Sequence, residues 1–513
     1  MRVRWLGRVR FRDSLALQRA LFLHAGDPYL LLQEHPHVFT LGLRGDPAHV
    51  LVEAAEVVRT NRGGDVTYHG PGQLVGYPIL SWPDGPEATP AYVRSVEQVV
   101  IDACADLGLG GLGRLPGYPG VWVDPAGPDP RKVAAVGVRR TRGRTMHGFA
   151  LNVDTDLAWF DRIVPCGIPD KAVTSLAAEG VAVTMAQAVE AVARRAAAAW
   201  DRGRIERADV AWHDPERGRR AEIGGGLQIT ERKPAWLRVH ADMGPRYREL
   251  KQTMRSLDLV TVCEEAGCPN IFECWNDGTA TFMINGERCT RSCGFCLVDT
   301  RRPSGPPSSS EPEHVAEAVE RLGLAHAVVT AVARDDLPDG GAAQFAATVE
   351  AIRRRNPATA VEVLVPDCKG DDQAWSTLFA ARPDVLNHNL ETVARLQRAV
   401  RPQASYARSL GLLGAARAAR LTTKSGLIVG MGETFDEVLA AMADLRNVGV
   451  EILTVGQYLR PTESHLPVAR WWAPDEFDAV AAAGLAMGFA HVEASPLTRS
   501  SYHARQARES ATA

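Results

Sequence analysis

Apolar positions in the first 210 residues come in short runs separated by polar and turn residues. PYLLLQEHPHVFTLG (28–42) holds two such runs split by Pro36, and VGYPIL (75–80) and GVWV (120–123) are two more; runs of this length and composition predict strands. The period changes in TPAYVRSVEQVVIDACADLGL (89–109), where Tyr92, Val96, Val99, Val100 and Ala103 recur on one face of a predicted helix. The pattern is that of an α+β unit.

From residue 280 onward the pattern alternates instead. β-branched runs recur at TFMI (281–284), AHAVVTAV (325–332), AVEVLV (360–365), VLNHNL (385–390), SGLIVG (425–430), EILTVGQ (451–457) and HVEAS (491–495). Helical segments separate them, such as PEHVAEAVERLGL (312–324), with Val315, Val319 and Leu322 at i, i+4, i+7. Strand–helix alternation implies βαβ units and a parallel sheet, open or closed into a barrel, with chemistry at the carboxyl ends of the strands. Between the halves, residues 201–233 are charged, carry Gly224–Gly226 and lack apolar periodicity, which reads as a linker. The expected division is 1–212, a linker at 213–230, and 231–513.

Composition narrows the function classes. A chain of 513 residues has room for two to four domains. Its net charge of −3 argues against an electrostatic nucleic-acid binder. No apolar run reaches the roughly 18–20 residues that span a bilayer, and MRVRWLGRVRFRD has no apolar signal core, so no membrane partner is expected and the cytoplasm is. Of nine cysteines, six (Cys263, Cys268, Cys274, Cys289, Cys293 and Cys296) fall within 34 residues, which without a secretion signal reads as metal binding rather than a disulfide framework. Cys104 and Cys368 read as bystanders.

Cys289-Thr-Arg-Ser-Cys293-Gly-Phe-Cys296 is C-x3-C-x2-C, three thiols on one short loop after a strand. Three thiolates can hold three irons of a [4Fe–4S] cluster and leave the fourth iron open. Zinc, which takes four ligands and favours C-x2-C pairs, fits this spacing poorly. The motif resembles that of the radical S-adenosylmethionine superfamily. Fifteen residues upstream lies Cys263-x4-Cys268-x5-Cys274. With KPAWLR (233–238), RDDLPDGGA (334–342), NHNLETVARL (387–396), KSGLIVGMGET (424–434), VGQYLRPTESHLPV (455–468) and RSSYHA (499–504), the two triplets resemble the lipoyl synthase family over the whole second half. That resemblance implies a partial TIM-type barrel and two [4Fe–4S] clusters. The radical cluster is held by Cys289, Cys293 and Cys296 and takes S-adenosylmethionine on its open iron. The auxiliary cluster is held by Cys263, Cys268, Cys274 and the oxygen of Ser501, and gives up sulfur to carbons 6 and 8 of a protein-bound octanoyl chain. A reduced ferredoxin or flavodoxin is the implied electron donor. The sequence departs from the family pattern at Ala333, where an aspartate is expected, and in the long Ser/Pro-rich loop after Cys296.

In the first half, Arg62-Gly-Gly-Asp-Val-Thr-Tyr-His69-Gly-Pro-Gly-Gln73 is a Gly-rich segment with convergent polar groups, and it lacks the G-K-[ST] of a P-loop. Read alone, it is equally a tight turn between strands or a loop whose backbone approaches a ligand. Cys166, in the turn-type context IVPCGIPDK, could be a low-pKa thiolate if a cation stands near. Together EHPHVFTLG, RGGDVTYHGPGQLVGYPI, GVWV, RKVAAVGV, HGFALNV and VPCGI resemble the octanoyl-[acyl carrier protein]:protein octanoyltransferase family, of the biotin/lipoate ligase–transferase fold. The resemblance implies that Cys166 takes the octanoyl group from octanoyl-acyl carrier protein as a thioester and that Lys132 lowers its pKa and assists as acid and base. The acyl group then passes to a lysine of a lipoyl domain, on 2-oxoacid dehydrogenase acyltransferase subunits or the glycine-cleavage H protein. Implied substrate-binding residues are Arg62, Gly63, Gly64, Asp65, Val66, Thr67, Tyr68 and His69, with Ala135, Val136, Gly137, Gly148, Phe149 and Ala150; His69 and His147 are expected at the pocket. The rivals are an ATP-dependent lipoate- or biotin-protein ligase for the first half, and another sulfur-inserting enzyme such as biotin synthase, or a zinc-based interaction module, for the second.

Overall fold

Strands that read as continuous apolar runs must be covered on both faces, and the first unit is built that way. The computed structural model describes residues 1–165, 171–210, 233–237, 244–257, 259–261, 270–271 and 280–512. The chain divides into two compact units, Met1–Trp212 and His213–Ala513. The expected linker at 213–230, Cys166 and the Cys263–Cys274 triplet lie outside the described residues.

In the first unit the strands are β1 (Arg2–Arg8), β2 (Tyr29–Glu34), β3 (Val38–Leu41), β4 (Glu56–Arg59), β5 (Val66–His69), β6 (Gln73–Ile79), β7 (Leu112–Leu115), β8 (Tyr118–Val123), β9 (Arg131–Thr141), β10 (Arg144–Asn152), β11 (Ala172–Val173) and β12 (Glu206–Arg207). The main sheet runs β12-β1-β2-β6-β10-β9-β8-β7, with β11 against β9, and β4-β3-β5 form a second, small sheet. Alternation sorts the faces. Leu30 and Leu32 of β2 join Tyr92, Val96 and Val100 of the helix Ala88–Asp106 and Val189 and Val192 of the helix Met185–Trp200 in the main core. Gln33, one residue on, turns to the other face and donates to Ser14 Oγ (2.5 Å) of the helix Phe11–His24. The helix Met185–Trp200 starts at a capping box: Thr184 Oγ1 accepts from Gln187 N–H (3.3 Å) and Gln187 Oε1 accepts from Thr184 N–H (2.8 Å), worth about 1 kcal/mol. The small sheet has its own core of Phe39, Leu41, Val66, Tyr68, Phe160 and Ile163.

The second unit is an eight-stranded sheet in chain order: β13 (Val260–Thr261), β14 (Ala280–Ile284), β15 (His326–Ala331), β16 (Ala360–Leu364), β17 (Val385–Asn387), β18 (Thr422–Val429), β19 (Ile452–Gln457) and β20 (His491–Ser495). β13 is antiparallel to β14 and every later pairing is parallel. Helices follow the strands, among them Glu311–Arg321, Ala342–Arg355, Tyr406–Ala418 and Phe435–Asn447. A parallel sheet without reversal of strand order curls as a barrel does, rather than opening at a switch point. This is the partial barrel. The run VLNHNL forms a strand only over Val385–Asn387; His388 follows it, still donating its backbone N–H to Lys424 O (3.0 Å), with its Nδ1–H donating to Val365 O (2.8 Å) and its Nε2 meeting Ser409 Oγ (2.9 Å). Inside the barrel, Lys424 of β18, at 0% exposure, pairs with Glu362 of β16 (3.0 and 3.2 Å), which also accepts from Asn387 Nδ2 of β17 (3.0 Å). Cys104 and Cys368 are buried, and no described helix is long and apolar enough to cross a membrane.

Candidate functional sites

In the first unit a cavity of about 50 Å³ lies among Arg62, Gly63, Gly64, Asp65, Thr67 and His69 on one side and Ala135, Val136, Gly137, Gly148, Phe149 and Ala150 on the other, with Phe11, Tyr77 and His147 completing the wall. Strand alternation explains who faces it. Thr67 and His69 of β5 point in, whereas Val66 and Tyr68 point into the small sheet's core. Gly137 and Gly148 stand opposite each other in the β9–β10 ladder. In the Gly-rich segment a Cβ on Gly72 would stand 2.2 Å from Asp154 O. Gly64 has φ +87°, and a Cβ on Gly42 would stand 2.3 Å from Gly64 O. Arg62 props the turn from within, donating from Nη2 to Thr40 O (2.6 Å) and from Nη1 to Gly63 O (3.0 Å).

The histidines around this cavity are neutral. Burial pushes His147 down to about 3, with the Arg62 guanidinium adding to the effect, and burial lowers His69 well below its usual value. His69 Nδ1–H donates to Gln73 Oε1 (2.8 Å), leaving Nε2 as an acceptor 3.4 Å from Thr40 Oγ1. Behind them His35, lowered by burial to about 4, donates from Nδ1 to Val9 O (2.7 Å) and accepts from Tyr77 Oη (2.9 Å). Phe11 and Tyr77 escaped the sequence reading: each belongs to a run whose other members build the core.

Lys132, 6% exposed, sits on β9 three residues before Ala135 and does not line this cavity. Its Nζ lies 4.7 Å from the ring centroid of Trp122 on β8. The chain on either side of residues 166–170 is anchored. Ile163 bridges Val50, and Val164 N–H donates to His49 O (2.8 Å), while His49 Nδ1 pairs with Asp65 (2.6 Å) of the cavity wall. On the other side Val173 of β11 pairs with Lys132, and Thr174 N–H donates to Lys132 O (2.9 Å). One flank is thus tied to the cavity and the other to the lysine.

In the second unit a cavity of about 390 Å³ opens at the carboxyl ends of the strands. Its wall includes Cys289, Cys293 and Cys296 together with Ser501. The cysteine loop is stitched to its surroundings by its own backbone. Thr290 N–H donates to Ala333 O (2.9 Å), Ser292 N–H to Gln403 Oε1 (2.8 Å) and Gly294 N–H to Val400 O (2.9 Å), while His465 Nε2 donates to Cys296 O (2.9 Å). Ala333, where an aspartate was expected, serves through its carbonyl, which also accepts from Thr290 Oγ1 (2.9 Å). Burial pushes the Cys293 and Cys296 thiols up, Cys296 to about 12, so without a bound cation these sulfurs stay protonated. Among the described residues no three His, Cys, Asp or Glu side chains stand close enough to hold one ion. Thiols that each take a different iron of a cubane have no need to.

The rest of the wall is mainly apolar, but it holds a few polar groups that are incompletely satisfied. Asn389 Nδ2 donates to Ser500 Oγ (2.6 Å), but Asn389 Oδ1 and Arg401 Nε have no partner among the described residues. Glu391 stands at φ +68°, strained for a non-glycine residue, and burial raises its pKa against the opposing Arg401. Three thiols on one loop, sharing this cavity with the unpaired Asn389 Oδ1 and Arg401 Nε and the buried Glu391 carboxyl, fit an iron–sulfur cluster carrying a polar organic ligand. Asn389 and Glu391 lie in the NHNLETVARL motif, just past the end of a parallel strand, but were given no role there; Arg401, at the end of the helix Gln397–Val400, carried no local signal.

Three family models match the chain: the lipoyl protein ligase A/B catalytic domain over residues 10–197, the N-terminal domain of lipoyl synthase over 211–268, and the radical SAM superfamily over 283–445. Lipoyl synthase of Rubrobacter xylanophilus is 59% identical over 281 residues, 54% of this chain and 87% of that protein. Lipoyl synthase of Mycolicibacterium paratuberculosis is 53% identical over 285 residues, 56% of this chain and 92% of that one. Among solved structures, a bipartite lipoate protein ligase from Thermoplasma acidophilum aligns at 18% identity and a TM-score of 0.35, covering 42% of this chain and 88% of that one.

Proposed function

As a member of the lipoyl synthase family through its second unit, with a lipoyl ligase/transferase catalytic domain ahead of it, the chain is, we propose, a bifunctional enzyme of lipoate assembly. It moves an octanoyl group from octanoyl-acyl carrier protein to a lipoyl-domain lysine and then inserts sulfur at carbons 6 and 8. The observation that carries this reading is the convergence of Cys289, Cys293, Cys296 and Ser501 on one cavity at the carboxyl ends of a parallel sheet.

In the first step Cys166 attacks the thioester of the donor and holds the octanoyl group, and the acceptor lysine displaces it, so one acyl transfer becomes two easier ones. Lys132 stabilises the thiolate and passes a proton to the departing group. The Gly137 and Gly148 stretches are candidates to hold the thioester oxygen, and neutral His69 and His147 present hydrogen-bonding nitrogens without adding a competing charge. The cysteine of the VPCGI motif favours transfer over ligation, since an adenylate-forming ligase needs no thiol nucleophile.

In the second step Cys289, Cys293 and Cys296 would hold one [4Fe–4S] cluster, and Cys263, Cys268, Cys274 and Ser501 a second. When bound, the first with S-adenosylmethionine supplies a radical able to take hydrogen from unactivated carbon, and the second supplies sulfur. Asn389, Glu391 and Arg401 orient the polar ligand on the cavity wall, and the apolar strand ends Val328, Leu364 and Leu427 exclude water from the chain being modified. The partners are octanoyl-acyl carrier protein, lipoyl domains of 2-oxoacid dehydrogenases or the glycine-cleavage H protein, and a reduced ferredoxin or flavodoxin. A reducing compartment, the cytoplasm, suits an enzyme whose described cysteines are all free and whose cysteine triplets are read as cluster ligands.

Two experiments test this. Cys166→Ala is expected to lose both the acyl adduct and transfer; a variant that still octanoylates a lipoyl domain from free acid and ATP identifies a ligase. Anaerobic reconstitution is expected to load about eight irons per chain; bound zinc without an iron–sulfur spectrum contradicts the second half of the reading.

A further inference from the structure

Arg291 lies inside the cysteine loop, two residues from Cys289 and two from Cys293, and is only 7% exposed. Its guanidinium is clamped from two directions. Nε and Nη2 donate to Asp335 (2.7 and 2.9 Å), just past the end of β15, and Nη2 also donates to Asp367 Oδ1 (2.5 Å), just past the end of β16. Asp367 is fully buried. Its Oδ1 accepts a further bond from Lys369 N–H (3.0 Å), and its Oδ2 lies 3.4 Å from Arg408 on the helix Tyr406–Ala418. Asp335 in turn donates its backbone N–H to Thr290 Oγ1 (2.9 Å), so loop and clamp are tied to each other from both sides. Burial alone would push Asp367 up, but the Arg291 and Arg408 guanidiniums overcome it and keep the carboxylate ionised.

At the other end of the same residue, the Arg291 backbone N–H donates to Cys289 Sγ (3.4 Å). A hydrogen bond to a cluster thiolate draws charge off the sulfur and stabilises the reduced cluster, raising its potential. The two carboxylates and two guanidiniums cancel in charge, so the clamp acts through the aim of that N–H and the shape of the loop. The geometry points to Arg291 as a positioning residue that, held by Asp335 and Asp367, fixes the N–H···S bond on Cys289 and thereby tunes the potential of the cluster on Cys289, Cys293 and Cys296. This rests on the cluster reading above.

The test uses the full chain with Cys263, Cys268 and Cys274 replaced by Ala, so that a single cluster is observed after anaerobic reconstitution. Into this parent go Asp367→Asn, which keeps the shape but not the charge, and Arg291→Lys, which keeps the charge but not the bidentate fork. Iron content, the electron paramagnetic resonance spectrum of the reduced cluster and the midpoint of a potentiometric titration are read. Both variants are expected to bind about four irons per chain with an altered spectrum; Arg291→Lys, which leaves the charge unchanged, moves the midpoint to more negative values, and Asp367→Asn leaves it less negative than Arg291→Lys does, because it also removes a nearby negative charge. Unchanged midpoint and spectrum at full iron content overturn the inference. Should Asp367→Asn fail to fold, Asp335→Asn, whose site is more exposed, replaces it under the same criteria. A parent that takes up no iron overturns the cluster reading itself, and the inference falls with it.

Discussion

Lys132 Nζ stands over the indole ring of Trp122. A desolvated cation over an indole is worth about 2 kcal/mol, which holds the ammonium against Trp122, on the strand residue that pairs with Val173. Trp122→Leu is therefore expected to slow octanoyl transfer at least about tenfold, since about 1.4 kcal/mol is a factor of ten, and Trp122→Phe to recover most of it; equal rates for Leu and Phe contradict the role. Lys132→Arg keeps the charge but stays protonated, so it is expected to fold normally and to lose roughly 100-fold in rate, measured by single-turnover thioester formation. The buried histidines set a pH limit. His35 and His147 have folded pKa values depressed to about 4 and about 3, so the unfolded chain binds their protons first. The stability they permit is complete above pH 6.5 and is lost as pH falls toward those values, at about 1.4 kcal/mol per pH unit for each. Hydrogen exchange of peptides from β2 and β10 is expected to lose protection between pH 6.5 and 4, less so in His35→Gln; pH-independent protection would refute this. At this scale the sequence was eloquent where chemistry sits in motifs, as with the Gly-rich turn, and mute where packing decides. Nothing local distinguishes Thr67, which faces the cavity, from Val66, which does not, until β5 acquires a sheet partner on one side.

Elements were legible where one pattern dominated. The helix Ala88–Asp106 buries Tyr92, Val96, Val99, Val100 and Ala103, the stripe its periodicity predicts, and the apolar runs after residue 280 became β14 to β20. The hairpin of β9 and β10, the longest antiparallel pairing in the first unit, was less so. Its turn places Arg142 and Gly143 at φ +50° and +68°, a conformation usually announced by Asn-Gly. The polar rung inside the barrel was also invisible, because Glu362, Asn387 and Lys424 each read as an ordinary interruption of an apolar run. Joined, they span three strands. Lys424→Met leaves Glu362 buried without its cation and is expected to cost about 3–5 kcal/mol in chemical denaturation. The double variant with Glu362→Leu is expected to regain most of that; a single variant as stable as wild type refutes the rung's role.

At the scale of the molecule, the matches divide as the chain does. A ligase/transferase catalytic domain precedes a lipoyl synthase domain in one polypeptide, and under the proposal the first unit's product is the second unit's substrate. Tethering raises the local concentration of a carrier domain that has just been octanoylated. The intact chain is therefore expected to complete lipoylation faster than an equimolar mixture of the two separated units at dilute concentration, and equal rates would remove any advantage of fusion. The most direct test is mass spectrometry of a lipoyl domain incubated anaerobically with the full chain, octanoyl-acyl carrier protein, S-adenosylmethionine and reductant. The expected record is an octanoyl adduct that converts to a lipoyl adduct, with Cys166→Ala leaving the domain unmodified and Cys289→Ala stopping at octanoyl. Octanoylation that survives Cys166→Ala, or an octanoyl adduct that the wild-type chain never converts, would contradict it.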